Sequence, residues 1–493
     1  MNDRPNILFI FSDQHTRKIA GCYGDEIVRT PNLDRLSRSG VTFDNAYTAS
    51  PLCVPARMAL LTGRHPFAQR CWTNSDALAS DAPTFAHALG RAGYEVTLIG
   101  RLHAIGPDQL HGYSRREVGD HSTNWIGGTA HSLGVLDRTN EPFRVSIERA
   151  GAGQSAYQLK DRDVMASALE YLDELALRRD GGETRPFAMT VGLMLPHQPY
   201  VARAADFAAY EGKVAPPSYS PLDESAEHPY VRDWRRFTGT DQVDAAETAR
   251  ARAAYYGMVT EMDEYIGQIL DALEAHGLHE TTLVIYTSDH GDQLGERGLW
   301  WKQAFYEEAI GIPLIMSYPT LLPRGQRRAQ VVNLIDLAPT MIEAAGADPL
   351  PFGESRSLWP LAQDSAAPWL DETFAEYCTD GMSRWTLPDP VRQRMVRKGP
   401  WKLVYYDGLR PQLFNLEQDP GELNDLAEDS AHAEVRSELL ERVLEDWSPE
   451  GIADQMARRR AEKEYLGAWA RETDPAETYR WDFKMEDNWL NAT

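Results

Sequence analysis

Reactive side chains in this chain collect at the ends of short apolar runs. "ILFIFS" is followed by Asp13 and Gln14, "VTLIG" by Arg101 and His103, "VGLMLP" by His197, and "VIYTS" by Asp289 and His290. Open parallel sheets bind ligands beyond the carboxyl ends of their strands, so such exits predict one shared polar rim. Asp13, Gln14, Asp289 and His290 offer carboxylate, amide and imidazole donors. That set suits a divalent ion such as Ca²⁺, Mn²⁺ or Mg²⁺, and it lacks the thiolates of structural zinc. Arg57, Arg101, His103, His197 and Lys302 supply cations and proton donors for an anion. Cys53 stands two residues before Pro55 and four before Arg57, where "CVPARMALLTGR" turns helix-like. An unmodified thiol at a helix N-terminus has a lowered pKa and reads as a nucleophile.

The elements that must position these groups form an alternating pattern. "NILFIFSDQ", "EVTLIG", "FAMTVGLMLP", "TLVIYTSDHG" and "PLIMSYP" are apolar on both faces, as strands of a buried parallel sheet are. Helical patterns lie between them, over 161–179 and over 244–277, where Gly277 suits the stop. The fold class expected is α/β, a mostly parallel sheet sandwiched by helices. Residues 203–243 read as an irregular surface excursion, rich in Pro, Asp and Ser. Beyond residue 365, "TFAEYC", "QRMVRKGPWKLVYY" and "QLFNL" read as antiparallel strands, with a helix around 431–446. The chain of 493 residues therefore divides into a catalytic domain (1–368), a small α+β domain (369–446) and an extension (447–493). The aromatics Tyr479, Trp481, Phe483 and Trp489 mark the extension either as a docking segment of a homo-oligomer or as a tail folded on its own subunit.

Bulk charge narrows the partners. Fifty basic against 74 acidic side chains give a formal charge of −24, which disfavours nucleic acid and anionic membranes. An anionic substrate then needs a local cluster of cations. No segment approaches the roughly 20 apolar residues of a membrane span. The N-terminus lacks the basic lead of a signal peptide, so a cytoplasmic location is expected. The four cysteines are scattered and imply no disulfides.

Cys-x-Pro-x-Arg followed by "MALLTGR" resembles the signature of the type I sulfatases, of alkaline-phosphatase-like fold. The likeness extends to "RPNILFIFSDQH", "PHQPY", "TLVIYTSDHGDQLGERGLWWKQAFYEEAIGIPLI" and "WKLVYYDGLRPQLFNLEQDPGELNDLA", and covers residues 5 to about 427. It implies that Cys53 is oxidised to formylglycine by a maturing enzyme that reads Pro55 and Arg57. The aldehyde then hydrates, and its gem-diol attacks the sulfur of a sulfate ester. It also implies one divalent metal, Ca²⁺ ahead of Mn²⁺ or Mg²⁺, on Asp13, Gln14, Asp289, His290 and the modified Cys53. By the same likeness Arg57 braces the aldehyde and His103 is the base on the gem-diol. His197 and Lys302 hold sulfate and protonate the leaving oxygen. Two positions depart from the family pattern: Gln14 stands where many members have Asp, and Arg101 where Lys is usual. Arginine keeps the anion-binding charge but is a poor proton donor.

The ester is less defined. "GRLHAIGPDQLHGY" and "TASPLC" resemble bacterial choline sulfatases, which hold a trimethylammonium group against aromatic and acidic side chains. Trp125, Glu376 and Asp380 are the candidates for that role, beside Arg101 and Asn74 as further substrate contacts. Residues 120–155 and 383–394 do not match that subfamily, which leaves carbohydrate and aryl sulfates open. A phosphonate or phosphate ester hydrolase of the same superfamily is the rival enzyme class. A non-catalytic anion-binding protein conflicts with the presence of every other reactive group.

Overall fold

The computed structural model describes residues 4–223 and 226–491. The chain forms strands β1 (Asn6–Ser12), β2 (Val41–Tyr47), β3 (Glu95–Gly100), β4 (Arg115–Glu117), β5 (Gly151–Gln154), β6 (Phe187–Gly192), β7 (Val201–Ala202), β8 (Thr282–Ser288), β9 (Leu314–Ser317), β10 (Gln326–Asn333), β11 (Glu372–Cys378), β12 (Arg392–Lys398), β13 (Trp401–Tyr406), β14 (Gln412–Asn415) and β15 (Trp489–Leu490). The main sheet has the order β10-β2-β9-β8-β1-β6-β3-β4.

Its central strands are apolar on both faces because both faces are covered. Ile7, Phe9 and Phe11 of β1 enter one core, with the helix Cys53–Thr62 and the helix Leu337–Ala344. Leu8 and Ile10 enter the opposite core, with the helices Ala156–Asp180 and Ala245–Ala275. Each such side chain contributes roughly 1.5–3 kcal/mol on burial. A one-residue slip of β1 would exchange the two sets, so its register against β6 and β8 is pinned from both sides.

Two expectations are corrected, and the extension follows one of its two readings, a tail folded on its own subunit. "PLIMSYP" forms β9, but β9 runs antiparallel to both β8 and β2. Residues 203–243 are not irregular throughout: helices Ala204–Tyr210 and Pro229–Thr238 lie there, each burying a few aromatics. The extension is largely helical, over Pro449–Thr473, and its final residues fold back on their own chain. There β15 pairs β5, while Trp481 and Phe483 pack beside Leu133 and Tyr157. Within 369–446, β11–β14 form an antiparallel sheet covered by the helix Ala433–Leu444. No helix among the described residues is long and apolar enough to cross a membrane.

Candidate active site

Four adjacent strands, β8, β1, β6 and β3, deliver the reactive groups to one rim. Ser12 of β1 stands level with Ser288 of β8, so Asp13 and Asp289 leave the sheet side by side. Gly100 of β3 stands level with Gly192 of β6. A Cβ on Gly192 would lie 2.0 Å from the Arg101 carbonyl oxygen, so only glycine lets these strand ends meet. Gln14 (φ 66°) and His103 (φ 59°) turn into the left-handed region as the chain leaves β1 and β3. Such backbone is costly for side-chain-bearing residues and is held here by the surrounding contacts.

Cys53 opens the helix Cys53–Thr62, all ten residues of which are buried. Leu52 before it is extended and supplies no side-chain cap. The Val54 amide donates instead to Asn74 Oδ1 at 2.9 Å, which gives Asn74 a helix-end role as well as a place on the cavity wall. Cys53 Sγ lies 3.2 Å from His290 Nε2 and accepts from Lys302 Nζ at 3.0 Å. Arg57 points back along the helix, donating to Asp289 Oδ2 at 2.9 Å and Asp13 Oδ2 at 3.1 Å. Its guanidinium lies 4.5 Å from the ring centroid of Phe11.

The hydrogen bonds assign the protons. His290 Nδ1 donates to the Gly291 carbonyl at 3.1 Å, leaving the Nε2 lone pair turned to the cluster. His197 Nδ1 likewise donates to the Gln198 carbonyl at 2.6 Å, so its Nε2 accepts from Lys302 Nζ at 3.2 Å. Arg101 Nη2 donates to His103 Nδ1 at 2.7 Å. The His103 proton therefore sits on Nε2, and its Nδ1 lone pair is taken up by Arg101. Burial, then Arg101, holds the His103 pKa well below its ordinary value, so the ring is neutral. Arg101 Nε also donates to Asp13 Oδ2 at 2.5 Å. Burial would raise the Asp13 pKa, but Arg101, His197, Arg57 and Lys302 together hold it well below the usual carboxylate range.

A divalent cation fits the donors present. One atom each from Asp13, Cys53, Asp289 and His290 lies within 4.8 Å of the others. Gln14 joins them: its Nε2 donates to Gln198 Oε1 and Asp292 Oδ2, both at 2.6 Å, which turns Oε1 toward Lys302 Nζ at 2.8 Å. Asp292 fixes this amide and was not singled out from sequence, although it lies two residues after His290 in "SDHGDQ".

A cavity of about 430 Å³ opens above Cys53, with Arg101, His103, His197 and Lys302 on its wall. Trp125 lines it too, its indole N–H donating to the Ala476 carbonyl at 3.4 Å. Asp380 lines it but is already bonded to Lys463. Glu376 does not reach the cavity. It is buried beneath the small sheet, accepting from Phe67 N at 3.2 Å and Trp447 Nε1 at 2.9 Å, and burial pushes its pKa up to about 7. Sequence reasoning also missed Asp120. Its Oδ2 accepts from Leu102 N at 3.1 Å, His103 N at 2.7 Å and Arg116 Nη2 at 2.8 Å, and so holds the turn that presents Arg101 and His103. Nothing in "VGDHS" signals that role.

The description "Sulfatase" belongs to a family model that matches residues 5–347, which include every strand exit and Cys53. The chain belongs to the sulfatase family. Its expected enzyme class, a sulfuric ester hydrolase, follows from that membership. A second model, "N-sulphoglucosamine sulphohydrolase, C-terminal", matches residues 295–448 of this sulfatase and so runs across both sheets. Choline-sulfatase of Rhizobium meliloti is 33% identical over 86% of this chain and 83% of its own length. The multifunctional alkaline phosphatase superfamily protein PehA of Trinickia caryophylli is 28% identical over 90% of this chain and 95% of its own. The solved phosphonate monoester hydrolase of Agrobacterium radiobacter shares the fold, with a TM-score of 0.73 at 24% identity, covering 92% of this chain and 96% of that one.

Proposed function

We propose that this sulfatase hydrolyses a sulfate monoester at position 53, with Asp13, Gln14, Asp289 and His290 as metal ligands. The reading rests on one observation: Cys53 Sγ lies within 3.2 Å of both Lys302 Nζ and His290 Nε2, at a helix N-terminus that faces the cavity. When present, a divalent cation supplies Lewis acidity there, and formylglycine at position 53, made by a maturing enzyme, supplies the nucleophile.

The chain's own residues do the rest. Arg101 lines the cavity and brings a fixed positive charge to it for a sulfate oxygen. The N-terminus of the helix Cys53–Thr62 adds positive potential in a protein whose overall charge is negative. His103 donates from Nε2. Lys302 Nζ is the acid for the leaving oxygen, and His197 Nε2 stands at 3.2 Å to exchange its proton. Arg57 holds Asp13 and Asp289 in place and touches no substrate.

The similarity to choline-sulfatase puts choline sulfate in the substrate panel, beside a sugar sulfate, an aryl sulfate and a phosphonate monoester. We expect sulfate release from at least one ester and its loss, by a factor of about 10⁴ or more, in Cys53→Ala. Wild-type turnover by the fully metal-loaded Cys53→Ala protein would overturn the assignment. So would a preference for the phosphonate by several orders of magnitude over every sulfate. Peptide mass spectrometry of the residue-53 fragment reads the thiol-to-aldehyde conversion independently of activity.

A further inference from the structure

The cavity wall away from the strand exits meets the alcohol half of the ester. Thr73, Ser75, Trp125, Asp380 and Trp385 lie on it. Asp380 is the sole carboxylate among the described residues that line the cavity. Asp76 stands just behind, 1% exposed. Both acids are already matched from within the chain. Lys463, on the helix Pro449–Thr473, brings its ammonium up behind the wall, where it donates to Asp380 Oδ2 and lies 2.9 Å from Asp76 Oδ1. It also donates to Thr73 Oγ1 at 3.2 Å and Ser75 Oγ at 3.3 Å. Arg459, one turn earlier, stands 3.5 Å from Asp76 Oδ1. Two cations therefore answer two carboxylates. Glu141, near the mouth, is bonded to Arg384.

A positively charged alcohol entering here would meet no unpaired carboxylate. It would approach a side chain that already holds an ammonium ion, and like charges sharing one partner are disfavoured. The indoles of Trp125 and Trp385 then serve as flat apolar faces, and the hydroxyls of Thr73 and Ser75 as polar contacts, for a ligand without charge.

We propose that Lys463 determines specificity: by neutralising Asp380 and Asp76 it makes the alcohol subsite select an uncharged alcohol over a cationic one. This rests on the sulfatase reading of the same cavity. The cleanest comparison holds shape constant. Choline sulfate and 3,3-dimethylbutyl sulfate differ only in a quaternary nitrogen against a quaternary carbon. With the full-length, metal-loaded enzyme, kcat/KM should favour the dimethylbutyl ester. Lys463→Met should shift the ratio toward choline sulfate by about tenfold, the scale of one unmasked carboxylate a few ångströms from the charge. Lys463→Arg should keep the wild-type ratio, and adding Asp380→Asn to Lys463→Met should cancel the gain. A wild-type preference for choline sulfate, or a folded Lys463→Met with an unchanged ratio, overturns the proposal. If Lys463→Met does not fold, the wild-type ratio alone decides. Failure of the sulfatase reading shows separately, as no sulfate release from any ester. The subsite is then read by competitive binding of choline against 3,3-dimethylbutanol, and tighter choline overturns it.

Discussion

Asp120 shows how much a single buried charge organises. Its carboxylate accepts from two backbone amides of the turn after β3 and from Arg116, and its Oδ1 faces Arg101 Nη1 at 3.6 Å and Lys160 Nζ at 3.8 Å. Lys160 Nζ, Asp120 Oδ1 and Arg101 Nη1 are each buried without a hydrogen-bond partner among the described residues. Burial opposes ionisation of Asp120, but Lys160, Arg116 and Arg101 hold its pKa well below 3.8. A depressed folded pKa means that the group stabilises the fold above the unfolded value and loses that contribution as pH falls through the folded one. Asp120→Asn should therefore cost about 3 kcal/mol near neutrality, because it leaves buried cations unmatched. It should also flatten the loss of stability below about pH 4. Denaturant midpoints across that range measure both, and equal midpoints for the two proteins at pH 7 would refute the assignment. At this scale the sequence singled out Asp13, Gln14, Arg101, His103, His197, Asp289 and His290 because each follows an apolar run. It did not show Asp120, Asp292 or Lys463, which act through partners far away in the chain.

Strands and helices were readable where burial repeats. β1, β3, β6 and β8 are apolar on both faces; β1, β3 and β8 each carry a reactive pair at the exit, and β6 leads to His197. β2 and β10 mix polar with apolar positions and gave no such pattern. The reversed direction of β9 depends on its neighbours, which composition cannot convey. The helix Pro449–Thr473 buries only six of its 25 residues, so its apolar stripe is thin. The segment after it packs against the chain from Asp120 to Trp125. Trp481 N donates to the Asp120 carbonyl at 2.8 Å, and Asn124 Nδ2 to the Thr478 carbonyl at 3.2 Å. At Gly119 a Cβ would lie 1.2 Å from the Tyr479 carbonyl oxygen. Gly119→Ala should therefore push this segment away and lower the melting temperature by a few degrees, for an overpacking cost of about 1–3 kcal/mol. In a chain ending at residue 473 the same substitution should cost much less. Equal costs in both backgrounds would place the strain elsewhere.

The two sheets are joined by charge as well as by apolar packing. Lys402 of β13, 0% exposed at its side chain, lies 3.0 Å from Glu307 Oε1 and pairs with Glu422. Arg17 pairs with Glu307, and Arg297 and Lys18 with Glu308. Lys402→Met leaves two buried carboxylates without their shared cation, and the expected loss is about 3–5 kcal/mol. Chemical denaturation should show it as a lower midpoint; an unchanged curve would mean that the seam is held by packing alone. The composition shift near residue 365 lies just before β11, the first strand of the four-stranded sheet. The charged seam was not legible in the sequence, since its members come from the first 20 residues, from 297–308 and from 402–422. The burial of the helix Cys53–Thr62 has a consequence in time. Every residue of "CVPAR" is sealed in the finished fold, so any enzyme that reads Pro55 and Arg57 and oxidises Cys53 must reach them while the chain is still open. Some of the groups that cover them, Asp289 on Arg57 and the helix Leu337–Ala344 beside Val54 and Ala56, are translated later. On the proposed reading, maturation at position 53 is a race against folding, and expression with too little of the maturing enzyme should leave a folded, thiol-bearing population that later supply cannot rescue.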